Sequence, residues 1–249
     1  MKAIWKHIIC SLCALIIIAY MVFGVIMGQR NTPVTVCPKL QIDIIDMDER
    51  LYLTTDELID QLWLANLHPV KKPLAAISTQ AIENMTLRHP MVRTAECYKT
   101  CDGVVHIDLT QRVPLLRVVT QDGQYYIDTD RKKMPVRPSI TTPVLIATGN
   151  VGPRMAANEL SDFAEWLQES DYWHKRIGFV KVANPKSIQI IQRDSAATIL
   201  LGEISNYQPK LNKLQKWYQH IQGVDIQTYQ QLDVRYKGQV IGIKGNTKS

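Results

Sequence analysis

The sequence VRTAECYKTCDGVVHIDL, from Val92 to Leu109, has the pattern of a β-hairpin. Apolar and polar residues alternate after its turn, so one face of the second strand is expected to be buried and the other wet. Asp102-Gly103 is a dipeptide that favours a tight turn between two such strands. The stretch therefore predicts an antiparallel strand pair.

The residues before this hairpin predict a strand followed by two helices. LQIDII, from Leu40 to Ile45, has the composition of a strand, and TTDE at 54–57 is a capping box that starts a helix. A second helix around Ile82 is expected to end at His89-Pro90, because a residue before proline is disfavoured in the helical region. The order strand, helix, helix, strand, strand assigns residues 39–114 to one domain.

The second half of the chain predicts a larger domain over residues 115–249. Short strand-like runs surround two amphipathic helices, one opening at Pro153 and one running from Tyr207 to Ile221. The chain closes with the strand-forming stretch 229–243. No internal repeat and no low-complexity segment occurs, so the predicted fold class is α+β, with a mixed α/β second domain that ends in a strand pair.

An uncharged, strongly apolar run from Ile8 to Gly28 precedes both domains. About 20 apolar residues are enough to cross a bilayer as a helix, so we predict a transmembrane helix at 8–28 between a cytoplasmic tail at 1–7 and a linker at 29–38. A cleaved signal peptide is the alternative, but the run is long for one and lacks a small-residue cleavage site. Lys2 and Lys6 favour a cytoplasmic N-terminus, a single pass through the inner membrane and a periplasmic body.

The charge distribution disfavours a nucleic-acid partner. The formal net charge is +6, but four of the 29 basic residues precede the first acidic one, Asp43, which leaves 25 basic against 23 acidic residues in the rest of the chain. A nucleic-acid interface needs a basic stripe on a folded domain, and only the short run Arg131-Lys132-Lys133 occurs. The excess charge therefore belongs to the region around the apolar run.

The sequence carries no motif of a known catalytic, cofactor or metal site. It lacks G-x-S-x-G, G-x-G-x-x-G, a Walker loop and H-E-x-x-H. His106 and Asp108 alternate on the wet face of a strand, and Asp128-Thr129-Asp130 lacks the further oxygen ligands of a calcium loop. We therefore predict no enzyme, no cofactor and no metal. A catalytic triad assembled from distant residues stays open, because geometry and not sequence order defines it.

Three cysteines follow the apolar run: Cys37, Cys97 and Cys101. Cys97 and Cys101 precede the predicted hairpin turn closely enough for a disulfide at its tip in an oxidising compartment to stay open, although free thiols are favoured. An odd number of cysteines leaves at least one without a partner in the chain. A zinc site is disfavoured because a second pair of ligands is missing.

The closing stretch 229–243 is the candidate interaction surface. Leu232, Val234 and Tyr236 alternate with charged residues, and Val240-Ile241 follows Gly238. A strand at the end of a chain can lie at a sheet edge, where its free amide and carbonyl groups accept a partner's strand. It can equally be covered, and these two alternatives have the same weight.

Several motifs in this order resemble the bacterial cell-division family FtsQ, also called DivIB. They are, in chain order, TTDEL at 54–58, HPMVRTA at 89–95, QRVP at 111–114, YYID at 125–128 and LDVRY at 232–236. The first three are similar to the family's POTRA domain, and the last two resemble the opening and closing segments of its β domain. The family often has Glu where Gln111 stands and Gly where Arg131 stands.

The resemblance implies a non-enzymatic scaffold at the division septum, whose β domain binds FtsB in complex with FtsL and so serves the FtsW/FtsI-type septal cell-wall synthases. In that family the terminal strand receives a partner strand, with Tyr236 here as an aromatic anchor and Gly238 allowing close backbone approach. The implied partner-binding residues are Leu232, Val234, Tyr236, Gly238, Val240 and Ile241. Two other classes stay open: a POTRA-containing envelope-assembly or secretion component, and a membrane-anchored periplasmic hydrolase.

Overall fold

The structure is a computed structural model that describes residues 15–25, 35–46, 52–138, 140, 142–193, 195–220 and 228–245. Residues 15–25 form helix α1. The strands of the remaining described residues form two sheets, one of three strands in the first domain and one of nine strands in the second.

The transmembrane helix predicted at 8–28 is wrong for the part of the chain that the structure describes. No helix there is both long and apolar enough to cross a membrane. The rest of the predicted segment, residues 8–14 and 26–28, lies outside the described residues, as does the tail at 1–7. The predicted fold class is corrected accordingly.

The first domain confirms the predicted order of strand, helix, helix, strand, strand. Its elements are β1 (Leu40–Ile44), α2 (Thr55–Leu64), α3 (Thr79–Leu87), β2 (Val92–Lys99) and β3 (Val105–Gln111). The sheet order is β1-β3-β2, with β1 parallel and β2 antiparallel to β3. The central β3 shows the alternation expected from its sequence, because every second residue from Val105 to Gln111 is buried.

The capping box predicted from TTDE forms at the start of α2. The Glu57 amide donates to the Thr54 hydroxyl at 3.4 Å, and the Thr54 amide donates to a Glu57 carboxylate oxygen at 3.5 Å. Both bonds satisfy amides that a helix start leaves without an intrahelical partner. Leu58 and Leu62 then follow on the face of α2 that is buried in the domain core.

Gln111 at the end of β3 is buried, and its surroundings explain why an amide fits where the family often has a carboxylate. Its side-chain oxygen accepts from the amides of Tyr52 and Leu53 at 2.7 and 3.0 Å. Its side-chain nitrogen faces a carboxylate oxygen of Asp46 at 3.5 Å, which also accepts from the Gln111 amide. A glutamate could accept the same two amides, but it would place a second negative charge beside Asp46.

The second domain is built on one mixed sheet with the order β12-β11-β10-β9-β8-β7-β4-β5-β6. Its strands are β4 (Pro114–Thr120), β5 (Gly123–Asp128), β6 (Lys133–Pro135), β7 (Leu145–Gly149), β8 (Ile177–Asn184), β9 (Ser187–Gln192), β10 (Thr198–Gly202), β11 (Tyr229–Asp233) and β12 (Ile241–Lys244). Parallel pairs are β4–β7, β7–β8 and β10–β11, and the other neighbours are antiparallel.

The helices of the second domain pack against the sheet and complete its core. They are α4 (Pro153–Ala157), α5 (Glu159–Glu169), α6 (Asp171–His174) and α7 (Tyr207–His220). The stretch from Pro153 was predicted as one helix, but Asn158, with φ −109° and ψ −90°, breaks it in two. Phe163 on α5, Trp173 on α6 and Leu214 on α7 belong to the same buried cluster.

The two domains share buried contacts at their junction. Only Arg112 and Val113 separate β3 from β4. Tyr126, Met134 and Val144 of the second domain belong to the buried apolar cluster of the first. The apolar core of the first domain is therefore completed by residues of the second domain.

Polar contacts join the same two domains around the start of α2. The Arg137 guanidinium bonds both carboxylate oxygens of Glu57, at 2.7 and 3.0 Å, and this contact holds the pKa of Glu57 below its usual value. The hydroxyls of Tyr52 and Thr142 lie 2.7 Å apart. The capping residue of α2 thus also binds a side chain from beyond β6.

Arg131 occupies a left-handed backbone conformation, which accounts for the glycine that the family often has there. Its φ is 64°, a value that costs a residue with a Cβ atom roughly 1 kcal/mol. The side chain offsets this cost by pairing with two carboxylates of α5, Asp162 at 2.9 Å and Glu165 at 2.6 Å.

We expect Arg131→Ala to lower the free energy of unfolding by about 1 kcal/mol, because it keeps the backbone strain and loses both ion pairs. Arg131→Gly removes the strain together with the ion pairs, so its stability should lie within about 0.5 kcal/mol of the wild type. Urea unfolding of the three proteins measures the difference. Equal stability of the two variants would show that strain at Arg131 is not significant.

Candidate partner-binding edge

The last strand, β12, lies at one edge of the nine-stranded sheet. It pairs with β11 only, antiparallel, with Gln231 opposite Ile243, Leu232 opposite Gly242 and Asp233 opposite Ile241. Of the two alternatives left by the sequence, the structure therefore shows the edge strand. The other side of β12 is not paired with any described strand.

Two backbone bonds identify which amides of β12 point away from the sheet. The Gly245 amide donates to the Thr228 carbonyl at 3.0 Å, so it points towards β11. Because successive residues of a strand point their backbone groups to opposite sides, the amides of Ile241 and Ile243 also point inwards. The Val234 amide donates to the Leu200 carbonyl of β10 at 3.2 Å. By the same alternation, the backbone groups of Asp233 and Gln231 point towards their β12 partners, which agrees with inward amides at Ile241 and Ile243. The outward groups are thus those of Gly242 and Lys244.

The side chains of β12 differ between its two faces. Ile241 and Ile243 are 43% and 48% exposed and share a face with their partners Asp233 and Gln231. On the helix side the ring of Tyr229 covers Gly242 so closely that a Cβ atom there would overlap it. Glycine is thus required at position 242 for Tyr229 to lie across the strand.

The loop from β11 to β12 presents Tyr236 to solvent. This side chain is 52% exposed, and the Arg235 guanidinium lies 5.9 Å from its ring centre. Gly238 has φ 77°, and a Cβ atom added there would have no heavy atom within 4 Å, so its role within the chain is the turn conformation. An exposed aromatic residue beside a free edge is the type of side chain that anchors a partner.

Lys213 of α7 holds this loop against the domain. Its ammonium group donates to the carbonyls of Val234, at 3.2 Å, and of Tyr236. Burial lowers its pKa. Two carbonyl acceptors on either side of Arg235 fix the backbone from which the Tyr236 side chain projects.

An ion pair at the start of the loop joins Arg235 to Asp233, the last residue of β11. Arg235 binds Asp233 through two side-chain bonds, at 2.9 and 2.6 Å, and this pair holds the pKa of Asp233 below its usual value. Asp233 is nearly buried, whereas half of the Arg235 side chain is exposed. The pair therefore neutralises a buried charge but leaves part of the guanidinium available at the surface.

The structure separates the six predicted partner-binding residues into three groups. Leu232 and Val234 are fully buried in the core, so their side chains cannot contact a partner without unfolding. Tyr236 and Gly238 are exposed, but in a loop and not on a strand, because β11 ends at Asp233. Val240 packs partly buried against the core, and Ile241 is the first residue of the edge.

The sequence prediction of this site missed Lys213, Gly242, Ile243 and Lys244. The alternation Ile241-Gly242-Ile243-Lys244 contains a signal for three of them, since a glycine between two β-branched residues often marks a close approach within a strand. Lys213 has no such signal, because its contacts with the loop join residues more than 20 positions apart.

The disulfide that the sequence left open between Cys97 and Cys101 is not formed in the structure, where both thiols are free. Cys97 lies within β2 opposite Ile107, and Cys101 lies exposed in the turn after the strand ends, so the two do not face each other across the hairpin. Burial and the nearby Glu83 carboxylate raise the pKa of Cys97 to about 11, which keeps its thiol protonated at neutral pH.

Among the described residues no group of three or more His, Cys, Asp or Glu side chains is placed to hold a metal ion. His106 and Asp108, which alternate on β3, are half-buried, with His106 stacked on Tyr98 and Asp108 accepting from the Tyr98 hydroxyl at 3.2 Å. Asp128 is buried and binds Arg112 at 2.6 Å. These groups are already used in contacts within the chain.

Comparison with protein families gives two matches. Residues 113–243 match the family described as FtsQ/DivIB, C-terminal related, and residues 35–110 match the POTRA-like domain. The first match covers more than half of the chain and contains nearly the whole edge strand. The chain belongs to the FtsQ/DivIB family. No curated protein is similar enough to be identified as a relative.

Membership of FtsQ/DivIB indicates a division-related scaffold associated with the membrane at the division septum. FtsQ/DivIB proteins and POTRA domains are generally non-enzymatic. The predicted resemblance is thereby confirmed at the level of the family.

Proposed function

We propose that this FtsQ/DivIB protein is a non-enzymatic divisome scaffold that binds the FtsB–FtsL complex by accepting a strand from it at β12. It does so at the inner membrane, with the two domains in the periplasm, and so connects early division proteins to the FtsW/FtsI-type septal cell-wall synthases. The observation that carries the proposal is the open edge of β12 beside the exposed Tyr236.

Strand addition fits the geometry of this edge. The outward amide and carbonyl groups of Gly242 and Lys244 can form backbone bonds with an extended segment, which supplies affinity that depends little on the partner's sequence. Specificity must then come from side chains, and Tyr236, Ile241 and Ile243 are exposed apolar residues next to the edge. Alternate residues of an added strand would lie beside Ile241 and Ile243 and extend the apolar face.

The proposal also accounts for the rigid construction around the edge. Strand addition costs less conformational entropy when the receiving strand is already ordered before the partner binds. Tyr229 lies over Gly242 and contacts Trp217 of α7 with ring centres 5.6 Å apart, while Lys213 binds the loop backbone from the same helix. Helix α7 therefore holds both the edge strand and the loop in place.

Two truncated chains test the proposal against purified FtsB–FtsL complex from the same bacterium. A chain ending at Gly245 keeps β12, and we expect it to bind like the full chain in biolayer interferometry. A chain ending at Val240 lacks β12, and we expect no measurable binding. Circular dichroism must show that both remain folded, which is expected because each of them keeps the core residues Val234 and Val240.

Absence of binding by the full chain would overturn the proposed partner. Binding by both truncated chains would keep the partner but move its site away from β12. The envelope-assembly and hydrolase alternatives have less support, because the FtsQ/DivIB match extends over nearly the complete second domain. Septal localisation of the full chain, and its loss in cells depleted of early division proteins, would support the scaffold role independently.

A further inference from the structure

The end of α2 in the POTRA domain exposes two large apolar side chains next to each other. Trp63 is 60% exposed and Leu64 is 88% exposed. The Trp63 ring is stacked on His68, with ring centres 4.1 Å apart and planes 9° apart, so it is held in a defined position. Ala65 and Asn66 beside them are exposed as well, so this apolar pair is not covered by the loop that follows it.

The charge beside this pair differs between its two sides, because Asp60 is exposed one turn before Leu64 on α2 and two lysines lie in the loop that follows. Residues 61–78 contain Lys71 and Lys72 and no acidic residue. The Lys72 ammonium donates to the Asn66 carbonyl at 2.6 Å, which places it beside the loop, and Lys71 is exposed. Burial lowers the pKa of His68, so at neutral pH the positive charge of the loop comes from the two lysines.

The same loop is tied to the point where the chain arrives from α1. The Cys37 amide donates to the Lys72 carbonyl and the Lys71 amide to the Cys37 carbonyl, both at 2.9 Å, and the Leu74 amide donates to the Thr35 carbonyl. Thr35 follows the last described residue of α1, Val25, by ten positions, so at most about 35 Å separates them. All described side chains of α1 are exposed, and most are large and apolar.

We propose that the segment from Trp63 to Lys72 contacts the lipid surface, with Trp63 and Leu64 among the headgroups and Lys71 and Lys72 facing anionic phosphates. Tryptophan prefers the membrane–water interface, and lysine next to apolar residues adds attraction to anionic lipids. A protein partner would explain the exposed apolar pair but not the lysines beside it. A lipid surface also explains the lysines, the absence of acidic residues from the loop after Leu64 and the tie to the apolar start of a membrane-associated protein. The inference rests on the family's membrane association and not on strand addition at β12.

Fluorescence quenching in lipid nanodiscs tests this contact on the full chain. The nanodiscs contain phosphatidylglycerol and brominated phosphatidylcholine, whose bromine atoms quench tryptophan only at contact range. Trp63→Phe should remove a quenched component from the emission. Trp166→Phe serves as the matched control and should remove an unquenched component, since Trp166 packs against Phe163 in the second domain.

Lys71→Glu tests the charge separately, because it leaves Trp63 in place. We expect it to reduce quenching of Trp63 in anionic nanodiscs and to have no effect when phosphatidylglycerol is replaced by phosphatidylcholine. Identical quenching in the wild type and in Trp63→Phe would overturn the proposal. So would capture of a protein partner that is lost in Trp63→Ala while the Trp63 emission stays unquenched, because the segment would then be a protein-binding surface.

Discussion

Replacing Lys244 by proline is expected to weaken binding of the FtsB–FtsL complex about 100-fold, or about 2.8 kcal/mol. The Lys244 amide points away from β11, so proline removes a donor that an added strand needs. The partner's carbonyl is then left unpaired at the new interface, and the proline ring occupies part of the space of the incoming backbone. Biolayer interferometry with the purified complex measures the affinity.

Lys244→Ala is the matched control for this variant. It removes the same side chain but keeps the amide, and we expect an affinity within about threefold of the wild type because the ammonium group is exposed. The fold should survive in both variants, because proline is tolerated on an edge strand where its missing donor faces outwards.

Ile243→Pro provides a contrast at the neighbouring position. The Ile243 amide points towards β11, so proline there should break the β11–β12 pair and lower stability as well as binding. If folded Lys244→Pro bound as tightly as Lys244→Ala, backbone pairing at β12 would be contradicted. The site would then consist of side chains around Tyr236.

The second large effect is expected at the junction between the domains. Asp128→Ala should lower the free energy of unfolding by about 4 kcal/mol, the range found when one partner of a buried ion pair is removed. Asp128 is 1% exposed and accepts from the Arg112 guanidinium and the Lys132 amide, both at 2.6 Å. The variant leaves both donors without this acceptor, and the Arg112 side chain is itself only 13% exposed.

Asp130→Ala is the control, because Asp130, in the turn between β5 and β6, also pairs with an arginine, Arg93 of β2. Its partner Arg93 is 43% exposed, and exposed pairs of this kind contribute about 0 to 1 kcal/mol. Thermal unfolding should show a fall in Tm of roughly 10 °C for Asp128→Ala and a small change for Asp130→Ala. Equal effects of the two changes would mean that burial at Asp128 does not determine the strength of the pair.

Elements of the POTRA domain were predictable from sequence because their signals lie within a few residues of each other. The capping box needs only Thr54 and Glu57, and the alternation of β3 needs only its own seven residues. The motifs of the family were recognisable for the same reason, and the family match confirms the resemblance that they carried.

The candidate site was predicted less well, because its residues depend on neighbours that are distant in sequence. The sequence pattern LDVRY alternates through Tyr236, yet the strand ends at Asp233, where the backbone turns and Lys213 of α7 binds its carbonyls. Gly238 adopts a turn conformation with no neighbour from the chain near it, so the close backbone approach expected there stays a prediction about a partner. The transmembrane prediction at 8–28 relied on an uncharged apolar run, and no helix among the described residues is long and apolar enough to cross a membrane.

The sequence by itself therefore determined the order of the elements, the position of the helix starts and the family to which the protein belongs. These follow from local hydrogen bonding and from the period of apolar residues, which act over one or two turns or strands. Only the tertiary structure decided that β12 is an open edge, that Leu232 and Val234 are buried, and that Arg131 and Gln111 can replace the family's usual residues. Those outcomes depend on which distant strands and carboxylates pack beside each residue, and the cost of burying a polar group or bending a backbone is set by those neighbours.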